Sequence, residues 1–439
     1  MTSPKRPTSK LFGALLKYLL AALLVFIPLY PKFPLFFLPH SSVAIRIEDF
    51  LFLLTGIILT IYYLKFKISF WKIPLGFQIV IYWLIGGLSV LSAILITQNI
   101  STSVAFLHWF RRIEYMMGFF LAYEVVKANP KSIRFYLEII VFCAVGVLLY
   151  GLAQIYLNAP IVSTMNEEFS KGYTLILQPG VPISSTFAGH YDLAIYLVFI
   201  LSILAAIFTF IKSKFQFIAL SVLFTGELWL LLQTGLRTAT LSAFVSVSLI
   251  LLLKKRFKLV LLFLLVFIVL VANTPRLTGR FDSLFRVIKF KSLISLEQLT
   301  VRPVLAVTQI SPTPVVLRPI QQDRSSSIRL DVEWPRALRA FYKNPFLGTG
   351  FSSITLATDN DYLRSLGETG LLGFLSFAAI LIAILKKILK TPTSLFDLSY
   401  LGIFTAMLIV ATFIDVFEAS KVASLFWIFT GLYFGSQKS

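Results

Sequence analysis

The chain is poor in groups that react and poor in groups that carry charge. Among 439 residues it holds one cysteine, Cys143, so neither a disulfide nor a cysteine metal site can form within one copy. Its three histidines, His40, His108 and His190, lie far apart and make no zinc motif. Asp, Glu, Lys and Arg make up 14% of the residues, against about a quarter in soluble domains. Acids are the scarcer kind, 20 against 40 Lys and Arg. The sequence shows no nucleotide-binding glycine motif, no internal repeat and no low-complexity tract. These absences argue against a disulfide-stapled domain, a thiolate or imidazole metal centre and an ordinary soluble enzyme.

Apolar residues fill the chain instead. They account for 57% of it, and phenylalanine alone for 43 residues, a side chain suited to acyl tails. A bilayer is crossed by about 20 mostly apolar residues in a helix. Such runs lie at roughly 14–30, 50–64, 75–97, 106–126, 135–157, 191–211, 215–232, 237–253, 258–273, 367–385, 397–414 and 422–436. They predict an all-α polytopic membrane protein with about 12 transmembrane helices. The first run follows Lys5, Arg6 and Lys10 as a secretory signal would. It is long and no small-residue cleavage site follows it, so it reads as a retained helix.

Charge gives the orientation. With the N-terminus in the cytoplasm, the inner loops hold Lys65, Lys67 and Lys72; Lys127, Lys131 and Arg134; Lys212 and Lys214; Lys254, Lys255, Arg256 and Lys258; and Lys386, Lys387 and Lys390. Lys438 falls at an inner C-terminus. The short outer loops carry acids instead, among them Glu48, Asp49, Glu167, Glu168, Asp415 and Glu418. This is the positive-inside pattern. It also accounts for the net charge of +20 without nucleic acid, because the cations sit in short clusters between apolar runs. The expected location is the cytoplasmic membrane, with both termini inside.

Three parts follow: helices one to nine in 1–273, an outer loop in 274–366, and helices ten to twelve in 367–439. The loop is too long for a simple connection. Its proline-rich middle, Ile310 to Gln322, predicts irregular chain, and Ile328 to Tyr342 has the apolar spacing of a helix. Asn344-Pro345 and Gly348-Thr349-Gly350 mark a turn. The loop carries thirteen Lys or Arg against seven Asp or Glu, an excess that topology does not require. Arginine predominates, and its planar fork suits phosphate oxygens; contact with anionic headgroups is the plainer alternative.

Arg237 stands where two apolar runs meet, in Gln233-Thr234-Gly235-Leu236-Arg237-Thr238. A guanidinium this close to hydrocarbon must be paired, solvated or snorkelling. Ser184 to Tyr196 sets His190 and Asp192 at the mouth of a helix, where Asp192 could bind substrate, pair with a cation or cap. Thr358 to Gly373 crowds Asp359, Asn360, Asp361, Arg364 and Glu368 beside the next span. Asp359 and Asp361 could hold Mg²⁺ or Mn²⁺. Alternatively one is a general base and the other caps the helix.

Taken in order, four of these stretches resemble the O-antigen ligase and polymerase family of bacterial membrane glycosyltransferases. They are Ser184 to Tyr196; Thr234 to Leu241 around Arg237; Ser327 to Phe351, with an arginine, a tryptophan, Asn-Pro and Gly-x-Gly; and Asp359 to Gly373, similar to a His-Asn-x-x-Leu motif followed by Glu-x-Gly. The resemblance implies a GT-C-like fold with a large, partly helical extracytoplasmic loop. It also implies inverting, metal-independent transfer without a cofactor. The donor would be an undecaprenyl-pyrophosphate-linked oligosaccharide, and the acceptor a glycan, glycolipid or protein. Arg237 and Arg329 would hold the pyrophosphate, and Arg280 and Arg336 would join His190, Asp192, Asn360, Asp361, Arg364 and Glu368 around the substrates. Asp359 stands where the family commonly has its histidine base. A transporter or flippase of lipid-linked saccharides is the competing reading; it predicts midplane charges and an inverted repeat.

Overall fold

The structure, a computed structural model, describes residues 10–37, 44–98, 100–162, 174–177, 181–274, 278–279, 328–354, 357–390 and 394–437. The long helices are α1 (Lys10–Leu29), α2 (Ile47–Lys65), α3 (Gly76–Ser92), α4 (Thr102–Ala128), α5 (Ser132–Tyr156) and α6 (His190–Phe210). They continue with α7 (Lys214–Gln233), α8 (Arg237–Leu253) and α9 (Phe257–Ala272). A short helix, α10 (Trp334–Lys343), precedes α11 (Asp361–Ile388), α12 (Leu395–Val410) and α13 (Ser420–Ser436). Each expected span coincides with one of these helices. Seven of them are long and apolar enough to cross a membrane, and α8, α9 and α12 are shorter apolar helices. Two small antiparallel pairs, β1 (Pro34–Phe37) with β2 (Ala44–Arg46) and β3 (Ile161–Val162) with β4 (Thr174–Leu175), were not expected. Arg280, the proline-rich 310–322 and Ser327 lie outside the described residues.

Helix α6 is apolar all round and 83% buried, as a helix surrounded by others must be. It packs on α5, α7, α8, α12 and α13. Helices α4 and α13 form the most extensive pair. Gly118, Gly431 and Gly435 let them close, since a methyl on Gly431 would meet the Phe119 carbonyl of α4. Outward-facing leucines and isoleucines, such as Leu53, Ile57 and Ile61 on α2 and Leu261, Leu265 and Ile268 on α9, stay exposed. An apolar surface of that extent suits acyl chains rather than water.

One break in this regularity positions the polar end of the bundle. Helix α11 is interrupted at Gly370, whose φ of 66° and ψ of −170° are not helical. The segment 344–350 lies against the break. Thr349 and Gly350 donate backbone N–H to the carbonyls of Gly367 and Glu368 at 3.1 and 2.8 Å, and Leu371 and Leu372 donate to those of Pro345 and Phe346 at 2.8 and 3.2 Å. The peptide groups freed by the break are thus paired again, as an apolar surround demands. Gly348, at φ 68°, faces Gly370 so closely that a methyl on either would run into the other strand's backbone. Asn344 ties this strap to α3 through Ser92 at 2.9 Å. The Asn-Pro, Gly-x-Gly and Glu-x-Gly motifs are therefore two halves of one join.

Gly370→Ala should lower stability by at least about 1–3 kcal/mol, the cost of a non-glycine residue in such backbone. Thermal unfolding of the solubilised protein tests this, with Gly13→Ala, around which there is open space, as the control expected to change little.

Candidate functional site

The strap and the broken helix bring the expected polar residues to one end of the bundle. Helix α11 begins with Asn360 as its cap, whose side-chain oxygen accepts the Leu363 N–H at 3.0 Å. Asp361, expected as a cap, a base, a metal ligand or a substrate contact, is not the cap. Its carboxylate accepts the N–H groups of Val416 and Phe417, at 2.7 and 3.1 Å, and so fixes the turn between α12 and α13. That turn answers with Asp415. Its carboxylate takes the N–H groups of Thr358, Asp359 and Asn360 at 2.8, 3.2 and 3.1 Å. Asp359 is held with φ 50°, the left-handed region that aspartate tolerates better than most residues.

Arg364, one turn into α11, donates to Asp415 at 2.8 Å and to Glu368 at 3.2 Å, and lies 3.5 Å from Glu418. Its side chain is 12% exposed, so carboxylates must neutralise it where water cannot. Arg112 of α4 pairs with Glu418 and donates to the Phe417 carbonyl at 2.7 Å. Its guanidinium also lies 5.4 Å from the centre of the Phe351 ring on the strap. Arg112, Asp361, Glu368 and Glu418 line a cavity of about 30 Å³, room for one or two waters. Arg364 and Glu368 thus belong to a buried ion network. Arg112, Asp415 and Glu418 were missed as site residues. The adjacent Arg111 and Arg112 inside an apolar run were the available signal, because arginine there is expensive.

Above this network sits the loop helix. It opens with a π-helical turn, Arg329–Glu333, a geometry that recurs at functional sites. Both Nε and a terminal nitrogen of Arg329 donate to one Asp359 carboxylate oxygen, at 3.0 and 2.6 Å. The pair is mostly buried, at 13% and 23% exposure. Burial pushes the Asp359 carboxyl above its ordinary range, and Arg329 pulls against that shift. Glu333, at the end of the π turn, is pushed up to about 7, chiefly by burial, with the Asp359 charge adding to it and Arg329 opposing. Glu333 Oε2, Trp334 Nε1, one terminal nitrogen of Arg336 and Thr358 Oγ1 are buried without a hydrogen-bond partner among the described residues. These donors and acceptors, on α10 and on the turn it covers, are what a polar ligand could satisfy.

The other expected residues fall elsewhere at this end. Gly189, not Asp192, is the cap of α6, and Asp192 instead pairs with Lys32 at 2.9 Å. Lys421 lies close by, 2% exposed, donating to the Tyr30 carbonyl at 2.6 Å and sitting 4.7 Å from the Phe187 ring centre. His190 is buried against Tyr191. Arg237 is the half-buried first residue of α8, which packs on α6 and α12. The structure joins Asp359 to Arg329 and Asp361 to the α12–α13 turn, so the two aspartates have different protein partners. Among the described residues no three His, Cys, Asp or Glu side chains are grouped as a metal site.

The residues that build the join and the Arg329–Asp359 pair all fall in one stretch that comparison with known families singles out. Residues 219–378 match the family model described as O-antigen ligase. The match supports the O-antigen ligase/polymerase family for this chain and a glycosyltransferase-like enzyme in the membrane. A search of curated proteins finds no match. The O-antigen ligase match takes in Arg237, Arg329, Asp359, Arg364 and Glu368, whereas Asp415 and Glu418, which flank Arg364, and Arg112, which pairs with Glu418, lie outside it.

Asp415→Ala should cost about 3–5 kcal/mol, because it removes a carboxylate partner of a buried guanidinium and leaves three N–H groups without an acceptor; Asp415→Asn should lose less. Chemical or thermal unfolding measures both. Glu333 gives a pH-dependent test. Its folded pKa is raised, so its contribution to stability is whole below the ordinary glutamate value and is lost as pH rises through about 7. Glu333→Gln should therefore raise the melting temperature over wild type at pH 8, and the gain should vanish toward pH 4.

Proposed function

We propose that the protein transfers an oligosaccharide from an undecaprenyl-pyrophosphate donor to an acceptor glycan or glycolipid at the extracytoplasmic face, as a ligase or a polymerase. The observation that carries this is the Arg329–Asp359 pair, set at the end of an apolar bundle under a helix that presents unsatisfied polar atoms. A lipid-borne pyrophosphate presents its charge at that depth while its tail stays among acyl chains. The Lys and Arg clusters sit at the opposite turns, α2–α3, α4–α5, α6–α7, α8–α9 and α11–α12, which supports an extracytoplasmic placing of the site.

In this reading Arg329 and Arg237 clasp the pyrophosphate, and Arg336 adds a third guanidinium. As the bond from the anomeric carbon to phosphate oxygen lengthens, negative charge grows on that oxygen. Fixed guanidinium groups in a site of low dielectric stabilise it without reorganising. Asp359 holds Arg329 in place before the donor arrives and then orients the acceptor hydroxyl. The attacking oxygen approaches from the face opposite the leaving group, which inverts the anomeric centre. Arg364, Asp415 and Glu368 keep the platform rigid beneath.

Reconstitution into liposomes with a defined undecaprenyl-pyrophosphate oligosaccharide and an acceptor tests the assignment. Release of the lipid pyrophosphate coupled to glycan transfer is expected, slowed by about 10²–10³ in Arg329→Ala and also impaired in Arg237→Ala. Lipid translocation without transfer would overturn it in favour of a transporter. Chelator should leave transfer unchanged; its loss would revive an ion at Asp359.

A further inference from the structure

We propose that Glu333, not Asp359, takes the proton from the acceptor hydroxyl. The inference rests on the glycosyl-transfer reading and assigns one step within it.

A general base must have a free lone pair at the site and a protonation state that changes near the working pH. Asp359 is tied to Arg329. One of its carboxylate oxygens already receives two N–H groups of that side chain, and those bonds oppose the rise that burial gives its pKa. Glu333 is differently placed. It closes the π turn that Arg329 opens, so the two side chains are fixed on one rigid element. Its Oε2 is buried and has no hydrogen-bond partner among the described residues. A buried acceptor without a donor is costly unless something supplies one, and a sugar hydroxyl is a donor of the right kind. Among the described residues, the charged groups facing Glu333 are Arg329 on the π turn, Arg336 on α10, Asp359 on the turn beneath and Asp415 on the turn between α12 and α13. They include two cations and two anions, so burial decides the balance and the carboxyl titrates near 7.

The step balances without a further reactant. The acceptor O–H bond breaks as its proton passes to the Glu333 carboxylate. The oxygen forms a bond to the anomeric carbon while the bond from that carbon to phosphate oxygen breaks. The electron pair leaves with the diphosphate, which Arg329 and Arg237 neutralise. Glu333 then loses its proton to water. Asp359 has no share in the proton's path; it aims Arg329, and its negative charge adds to the rise that burial gives the Glu333 carboxyl.

The test is the pH dependence of transfer by the reconstituted full-length protein, for wild type, Glu333→Gln, Glu333→Asp and Asp359→Asn. Wild-type kcat should rise with pH through a limb centred near 7. Glu333→Gln should lose about 10²–10⁴ in kcat, the usual worth of a general base, keep its KM for donor and show no limb. Glu333→Asp should keep part of the rate with a displaced limb. Asp359→Asn should move the limb to lower pH, because a neighbouring negative charge is gone. If Glu333→Gln fails to fold, as its melting curve would show, the Asp359→Asn displacement and the Glu333→Asp rate decide. Full activity in Glu333→Gln, or an unchanged limb in Asp359→Asn, overturns the proposal. An inactive wild type would instead overturn the transfer reading, so the two failures are distinguishable.

Discussion

A guanidinium cannot sit in an apolar bundle unless carboxylates surround it, and the pairing of Arg364 with Asp415 is where this chain meets that demand. Much else hangs from the pair. Asp415 spends its remaining acceptor capacity on the N–H groups of Thr358, Asp359 and Asn360. That turn starts α11 and aims Asp359 at Arg329. Arg329 in turn anchors the loop helix over the bundle. A single line of charge therefore runs from the α12–α13 turn, through the start of α11, to a helix that precedes both. Breaking it anywhere leaves a buried ion exposed to an apolar surround, which is more costly than never having placed the pair.

The strap from Asn344 to Gly350 solves a different problem with the same economy of parts. A helix that breaks inside an apolar layer leaves peptide groups unpaired. Here the break at Gly370 is closed by backbone of the loop itself, so the loop cannot lift away without exposing those groups. The two facing glycines have no side chain to keep the strands apart. Rigidity of this kind is what preorganised electrostatics require, since donors that must reorganise lose much of their worth to the transition state.

Helix α4 divides the polar end into two regions. Arg112 turns toward Glu418 and the Arg364 network, while Arg111 faces the acids of α2 and its own helix, Asp49 and Glu114. Beyond them Lys32 with Asp192, and Lys421 with the Tyr30 carbonyl, bind the ends of α1, α6 and α13 together. The second region ties helix ends together through the Lys32–Asp192 pair and the Lys421 bond to a carbonyl, which suits a structural clamp. The first joins its loop helix to the start of α11 through Arg329 and Asp359, which suits a site that holds a ligand.

Much of this was legible in the residues. Apolar runs alone gave every long helix, because only a helix satisfies its own backbone in lipid, and length is read directly from hydropathy. The spacing from Ile328 to Tyr342 announced the loop helix, Asp359 stood out in a polar crowd where charge is expensive, and Arg329 came from the family resemblance. What the sequence left open was pairing. Asp361 read as a cap or metal ligand, yet it holds Val416 and Phe417, more than fifty positions away. Asp415 and Glu418 read as ordinary loop acids, and Arg112 passed as part of an apolar run. A carboxylate looks the same in sequence whether it caps, binds or pairs. Which of these it does depends on what the packing of α4, α11, α12 and α13 brings within about 3 Å, and nothing short of the folded chain sets that.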